Sequence, residues 1–378
     1  MGTNVLYSKA KEWRRHRSVI NPAFHHEWSP AAFRTCADQV VDAIRSAPTG
    51  VDVRRLFSAM TLDALGKTVL GVSFNAISCP DNECTSAYYE AATGVSKNIY
   101  FLFPFLEHLS IPSRQRERKA VARFRALIKD IIDEKRNQIT PDQDRTDLLT
   151  MMIQANQREQ KITEHELINN AVVMFAAGHD TSANTLSFTL YHLCKNPAVQ
   201  QKARQQVLQT LEKDATPTAA QLKQMTYLDA VILESMRITP TLPQLRRKLE
   251  RDLPTPDGVL PKGTLVLLQT YAAMNHPKHW DHPEKFQPER FLSESTGRLD
   301  RAVTRNFFGF GAGTRVCVGA AMSMMEQKVT LATLLANFSF ALPKDSIHHQ
   351  RIVTNKDPVC RPENLQINFF PEPDVSKM

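Results

Sequence analysis

Phe307-Phe-Gly-Phe-Gly-Ala-Gly-Thr-Arg-Val-Cys-Val-Gly-Ala-Ala-Met322 sets one cysteine between a glycine-rich turn and the start of an apolar helix. Gly309, Gly311 and Gly313 tolerate positive φ and let the backbone approach a flat partner where side chains would intrude. From Val318 to Ala336 the chain reads as a long, mostly apolar helix, so the Cys317 sulfur falls where unpaired N–H groups and the positive end of the helix dipole collect. A thiolate is favoured there, which makes Cys317 a candidate metal ligand. The competing reading is a buried free cysteine beside a loop whose glycines merely turn the chain.

Composition bounds what such a site can serve. The chain has 378 residues, of which 42% are hydrophobic and 23% charged, an ordinary balance for a soluble globular enzyme with a large core. No Gly/Ser linker, low-complexity tract or internal repeat divides it, so one domain over residues 1–378 is expected. The net charge of +8 suits an anionic membrane surface or an acidic electron-donating partner. Nucleic acid is not expected as a partner, because the Lys and Arg residues are dispersed and no nucleic-acid motif accompanies them. Six cysteines without metal-finger spacing fit a reducing compartment. No apolar run reaches the length of a transmembrane helix, and the first residues lack the apolar core of a signal peptide.

Several other stretches carry information. Lys9 to Ile20 reads as a short basic helix running into Asn21-Pro22, with Trp13 and Arg17 on one face. Val51 to Phe74 has helical periodicity and a plausible stop at Gly71. Thr163-Glu-His-Glu166 is a capping box opening a helix through Leu193. Within that helix Ala177-Gly178-His179-Asp180-Thr181-Ser182 interrupts an apolar pattern with a glycine and a polar cluster. A mid-helix glycine costs about 1 kcal/mol and a buried carboxylate more, so a compensating function or a kink stabilised by hydroxyls is expected. Leu228 to Arg237 is a further helix, in which Glu234 and Arg237 stand three apart and form a pair. Arg246 to Leu268 reads as strand, Pro/Gly turn, strand. The aromatic segment 99–109 reads either as core or as a membrane-dipping loop, and a strongly basic helix follows from Arg114 to Arg136.

Phe310-Gly311-x-Gly313-x-Arg315-x-Cys317-x-Gly319 resembles the cysteine-ligand loop of the cytochrome P450 haem-thiolate enzymes at every fixed position. Ala177, Gly178, Asp180, Thr181 and Ser182 resemble the motif of the family's central helix, Trp13 and Arg17 its Trp-x-x-x-Arg helix, and Glu234 with Arg237 its Glu-x-x-Arg pair. The four motifs stand in the family's order from about Trp13 to Phe370. The resemblance implies a mainly α fold with small β-sheets (α+β) and haem b (iron protoporphyrin IX) with Cys317 as axial ligand. It implies that Phe310 packs on the sulfur side, and that Gly319 follows the ligand. Trp13, Arg17, Arg247 and Arg315 would bind the propionates. Gly178 would leave room for dioxygen while Asp180 and Thr181 relay protons. Glu234, Arg237 and Arg290 would form a buried structural ion cluster. The closing strand of the C-terminal sheet would run from Val359 to Phe370.

The implied activity is a monooxygenase inserting one oxygen atom from O2 into an apolar small molecule. Its electrons would come from NADPH-cytochrome P450 reductase or a similar donor, at the cytoplasmic face of the endoplasmic reticulum membrane. The front departs from the family pattern, because its first helix, first sheet strands and substrate-roof loop would precede Trp13. An N-terminally truncated form with an exposed sheet edge is therefore expected, and a haem-binding remnant without monooxygenase activity is the alternative. A helical structural protein without cofactor would require the Cys317 loop to be accidental.

Overall fold

The computed structural model describes residues 2–25, 27–95, 112–138, 147–212, 215–355 and 357–372. Its helices are α1 (Ala10–Phe24), α2 (Pro30–Ser46), α3 (Val53–Leu65), α4 (Glu83–Val95), α5 (Pro112–Gln138), α6 (Leu148–Glu159), α7 (Glu164–Lys195), α8 (Pro197–Thr210), α9 (Ala219–Gln224), α10 (Thr226–Ile238), α11 (Thr270–Met274), α12 (Arg301–Thr304) and α13 (Ala320–Asn337). The strands are β1 (Val51–Asp52), β2 (Leu245–Lys248), β3 (Leu253–Thr255), β4 (Gly258–Leu260), β5 (Leu265–Leu268), β6 (Phe338–Ala341) and β7 (Gln366–Pro371). The fold is mainly α with small antiparallel sheets, as the sequence implied.

Helix α7 is the axis of the molecule. Thr163 Oγ1 accepts the Glu166 N–H at 3.2 Å while Glu166 Oε2 accepts the Thr163 N–H at 2.8 Å, closing the expected capping box. The helix then runs to Lys195 without a break at Gly178. Its many hydroxyls sit in apolar surroundings because they turn back onto the helix. Thr181, Thr185, Ser187 and Thr189 each donate to the carbonyl four residues earlier, at 2.7–2.8 Å. Phe57, Phe175, Leu186, Leu190, Val329 and Leu335 are fully buried in the core around α3, α7 and α13, and each such side chain contributes roughly 1.5–3 kcal/mol.

Three boundaries differ from the sequence expectation. Helix α1 continues through Pro22 to Phe24, because a proline in the last turn forfeits one hydrogen bond while the His25 N–H still caps Asn21 O at 3.1 Å. The strand-turn-strand of 246–268 is two nested hairpins, β2 paired with β5 and β3 with β4. The closing strand starts at Gln366, where β7 joins β1 and β6 in one sheet. The segment 99–109, with its core and membrane readings, lies outside the described residues. Strand β5 pairs with β2 alone among the described strands, and Leu265, Leu267 and Leu268 are exposed along it. No helix among the described residues is long and apolar enough to cross a membrane.

Candidate functional site around Cys317

The cysteine loop is held by backbone geometry. Gly311 and Gly313 take φ values of +74° and +70°, a region that side chains adopt only under strain. Phe310 O accepts the Cys317 N–H at 2.9 Å, which folds the loop back on itself just before α13. The nearest contact of a Cβ placed on Gly311 would be Leu245 at 3.7 Å, so β2 lies directly against the loop. Solvent reaches Cys317, yet dense protein surrounds it on its other sides, as at the wall of a cleft.

That burial corrects one expectation. It pushes the Cys317 thiol up, and the hydrogen bond from the Gly319 N–H and the Arg17 charge offset this only in part. A helix start does not by itself make a thiolate here. A coordinated metal ion would, since it deprotonates its thiol ligand outright.

Three arginines converge beside the loop. Arg17 Nη2 donates to Val316 O at 3.2 Å. Arg315 Nη2 donates to Ser8 O at 2.7 Å, and its guanidinium carbon stands 4.7 Å from the centre of the Trp13 ring. Strand β2 alternates, with Leu245 and Arg247 half-buried and Arg246 and Lys248 exposed. Arg247 therefore shares the face of Leu245 that meets Gly311, and Arg246 does not. Burial lowers the pKa of Arg315, and repulsion from Arg247 and Arg17 adds to it against a weaker pull from Glu250. A group of cations this close fits an anionic partner carrying more than one charge, as the two propionates of haem do. Leu242 and Val316 are exposed nearby along the same segments, beside the leucines of β5, and present apolar surface for a macrocycle or an apolar substrate.

Helix α7 packs against the helix that follows Cys317. Ser182 Oγ lies 3.1 Å from Ser323 Oγ, one turn into α13, which ties the polar stretch of α7 to the helix that follows Cys317. Here the otherwise buried α7 opens: Ala177 is exposed and Asp180 and Thr181 are half-buried. Gly178 does not supply that opening. A Cβ there would stand 3.0 and 3.2 Å from the Leu65 methyl groups, so the glycine lets α7 pack tightly on α3, and the free space lies at Ala177. Burial pushes the Asp180 carboxyl up, but His179, Arg54 and Arg361 together outweigh it and hold it below the ordinary carboxylate value.

The ion cluster lies deeper. Arg237 and Glu234 are fully buried, paired through Nε–Oε2 at 2.7 Å and Nη2–Oε1 at 2.9 Å. Arg290 Nε and the Gln287 N–H reach Glu234 Oε1 at 3.0 and 2.9 Å, while Arg237 also donates to Met274 O and Pro283 O. The cluster fastens the 274–290 loop to α10. Two buried groups escaped sequence reasoning. His179 occupies the variable slot of the central-helix motif, and Glu326 is the one acid inside the apolar run 318–336, a signal that was there to be read.

A sequence profile of the cytochrome P450 family matches residues 1–369. Cytochrome P450 3A2 of Rattus norvegicus is 30% identical over 370 residues, covering 92% of this chain and 71% of the relative. Cytochrome P450 3A5 of Homo sapiens is 30% identical over 368 residues with the same coverage. Cytochrome P450 3A41 of Mus musculus is 29% identical over 364 residues, covering 90% and 70%. On these matches, and with a cysteine loop and arginine cluster that fit the cofactor, the chain is a member of the cytochrome P450 family of haem b monooxygenases.

Proposed function

We propose that the chain inserts one atom of O2 into an apolar small molecule, with Cys317 as axial ligand of haem b and electrons from NADPH-cytochrome P450 reductase or a similar donor. The observation that carries this reading is the exposed Cys317 beside the three converging arginines. Haem b supplies the activation of O2 and the oxygen transfer; in balance, substrate, O2, two electrons and two protons give hydroxylated product and water. Arg17, Arg247 and Arg315 neutralise the propionates, with Trp13 positioning Arg315, and Phe310 covers the sulfur side. The Gly319 N–H moderates the charge on the sulfur. Asp180 carries protons to the Thr181 hydroxyl at the open turn of α7, where the exposed Ala177 leaves room for the reacting molecules. The Glu234, Arg237 and Arg290 cluster holds the loop that precedes the cysteine turn. The chain works as one domain over residues 1–378.

The partner reading rests on charge. Lys9 just before α1, and Lys11 and Arg14 on it, are exposed beside the Trp13–Arg17 face and offer an acidic donor a docking surface. By the same family reasoning the enzyme operates at the cytoplasmic face of the endoplasmic reticulum, with a peripheral membrane contact.

The test is the absorption of the reduced protein with carbon monoxide. A strongly red-shifted Soret band that Cys317→Ala abolishes supports the ligand assignment; its absence from purified holoprotein overturns the reading. The band without NADPH-dependent oxygen insertion into apolar probes, such as coumarin ethers that release a fluorescent phenol, would mark a haem-binding remnant instead. A reductase-driven rate that ignores rising salt would remove the basic docking surface.

A further inference from the structure

His179 does more than fill the helix interface. Its ring is 1% exposed and wedged between α3 and α4, with the Tyr88 ring edge-on at 4.8 Å and the Tyr89 ring at 5.8 Å. Nε2 lies 2.9 Å from Ser58 Oγ, and the Tyr89 hydroxyl reaches the same Ser58 oxygen at 3.5 Å. On the other side, Nδ1 stands 3.4 Å from Asp180 Oδ1 and has no other polar partner among the described residues. Thr61 Oγ1 bridges the carbonyls of Ser58 and His179 at 3.2 and 3.3 Å, so α3 and α7 hold this geometry from both backbones.

The polar atoms of a buried histidine ordinarily find partners, and which partners they find decides what the ring can do. This one bonds a hydroxyl through one nitrogen and aims the other at the carboxylate next to Thr181. An imidazole can take a proton on one nitrogen and release another from the opposite one. Tyr89 is half-buried, so the sequence Tyr89, Ser58, His179, Asp180 runs from near the surface to the open turn of α7, with steps of 3.5, 2.9 and 3.4 Å.

We propose that His179 is a positioning residue for proton delivery, linking Asp180 through Ser58 to the Tyr89 hydroxyl and reloading the carboxylate from the α3–α4 side. The inference rests on the reading of Asp180 and Thr181 given above. Per transfer, Tyr89 Oη takes a proton from solvent as its own passes to Ser58; the Ser58 proton passes to His179 Nε2, and the Nδ1 proton to Asp180. The net change is one proton moved from solvent to Asp180, with the imidazole left in its other tautomer. The charged and titratable groups around the path are Asp180, Arg54 at 3.7 Å from Asp180 Oδ1, Tyr88 and Tyr89 in contact with the ring, and Asp63 and Arg361 acting at longer range. His179 first, and Arg54 after it, hold the Asp180 carboxyl below its ordinary value against burial, and burial keeps both tyrosines protonated, as hydroxyl relays require.

The experiment compares His179→Gln, which keeps an amide near the Nε2 position for Ser58 but cannot relay, with Tyr89→Phe at a half-buried and more tolerant site. The reductase-supported holoenzyme is assayed for hydrogen peroxide released per NADPH oxidised and for the solvent isotope effect on NADPH oxidation. Both variants should release a several-fold larger share of electrons as peroxide and show an altered isotope effect, with the reduced carbon monoxide band unchanged. The loss should stay short of the roughly 100-fold that a direct general acid contributes. A second readout needs no turnover: ring nitrogen shifts of ¹⁵N-histidine-labelled reduced, carbon monoxide-bound protein, with His179 assigned by its loss in His179→Gln, should report a proton on Nδ1. Parental peroxide yield and isotope effect in both variants, or a His179 ring deprotonated at Nδ1, overturn the proposal. Asp180→Asn and Thr181→Ala run alongside: if they uncouple while the relay variants do not, only the relay fails, and if they too behave as the parent, the Asp180–Thr181 reading fails with it.

Discussion

Arg315 lays its guanidinium 4.7 Å from the centre of the Trp13 ring while Arg17 and Arg247 repel it. In the haem-free protein these cations oppose one another, and on the proposed reading the propionates would join them in the holoprotein. Arg315→Leu should therefore act unequally in the two states. Haem loss to an excess of apo-globin should accelerate by the equivalent of about 1.5–3 kcal/mol, the range of a hydrogen bond to a charged group. The thermal midpoint of the haem-free protein should stay within about 1 kcal/mol of the parent, because relief of repulsion offsets the lost contact with Trp13. Equal destabilisation of both forms would show that Arg315 is a packing residue.

Arg15 grips Glu166 at the start of α7 with both terminal nitrogens, Nη1 to Oε2 at 2.7 Å and Nη2 to Oε1, and the same Nη1 donates to Lys161 O. The Arg15 hydrogen bond is the chief cause that draws the Glu166 pKa down from 4.5 to about 2, against burial. A carboxylate with a lowered folded pKa stabilises the fold above its unfolded value and loses that contribution as pH falls through the folded one. Glu166→Gln retains capping-box chemistry, so it isolates the charge. At pH 7 it should lower stability by about 1–2 kcal/mol after allowance for solvent screening at the half-open arginine. The difference should shrink between pH 4.5 and about 2 in urea titrations followed by circular dichroism. A difference constant over that range would mean that the pair stabilises by packing alone.

Legibility in the sequence followed the distance over which a feature is built. The Cys317 loop could be read because its glycines, Arg315 and the following helix are set by neighbours in the chain. The capping box at Thr163 is local in the same sense. Ser58 and His179 are 121 residues apart, and Arg15 and Glu166 are 151 apart, so no periodicity or spacing announces them. Gly178 was misjudged because its need lies in Leu65 of another helix. The Cys317 thiol was misjudged because helix position is visible in sequence and burial is not. The nested hairpin at 245–268 was hidden because strands of three or four residues carry too little alternation to separate them.

Breaking the Glu234 cluster should be the most damaging change outside the cysteine loop. Glu234 has a fully buried partner in Arg237 and a second in Arg290. Glu234→Ala leaves both guanidiniums without their shared carboxylate and should cost about 3–5 kcal/mol. The loop 274–290 should lose protection with it, because Arg237 also binds Met274 O and Pro283 O. Hydrogen exchange of that loop and the urea midpoint are the measurements. A variant that keeps its midpoint yet loses activity would place Glu234 in the chemistry and not in the fold.

Glu326 offers the opposite sign of pH dependence from Glu166. It is buried in α13 with Oε1 unpartnered among the described residues, and the element packed on it from α7 presents Ser182, which hydrogen-bonds it. The charge of Glu326 also acts on Cys36 of α2, behind the larger influences of burial, Lys67 and Asp63. Burial lifts its pKa to about 8, so the folded chain keeps this proton while an unfolded carboxyl releases it above 4.5. Between those values the folded state binds more protons than the unfolded one, and stability falls as pH rises. Glu326→Gln keeps the shape and removes the ionisation. Whatever constant cost the amide brings, the variant should gain on the parent from pH 5 to pH 8 by on the order of 1–3 kcal/mol and gain nothing further above that window. Thermal midpoints of the two holoproteins across this range give the slope directly. A parent whose stability runs parallel to the variant's would mean that Glu326 is ionised in the folded core, held there by a partner that Ser182 alone does not supply.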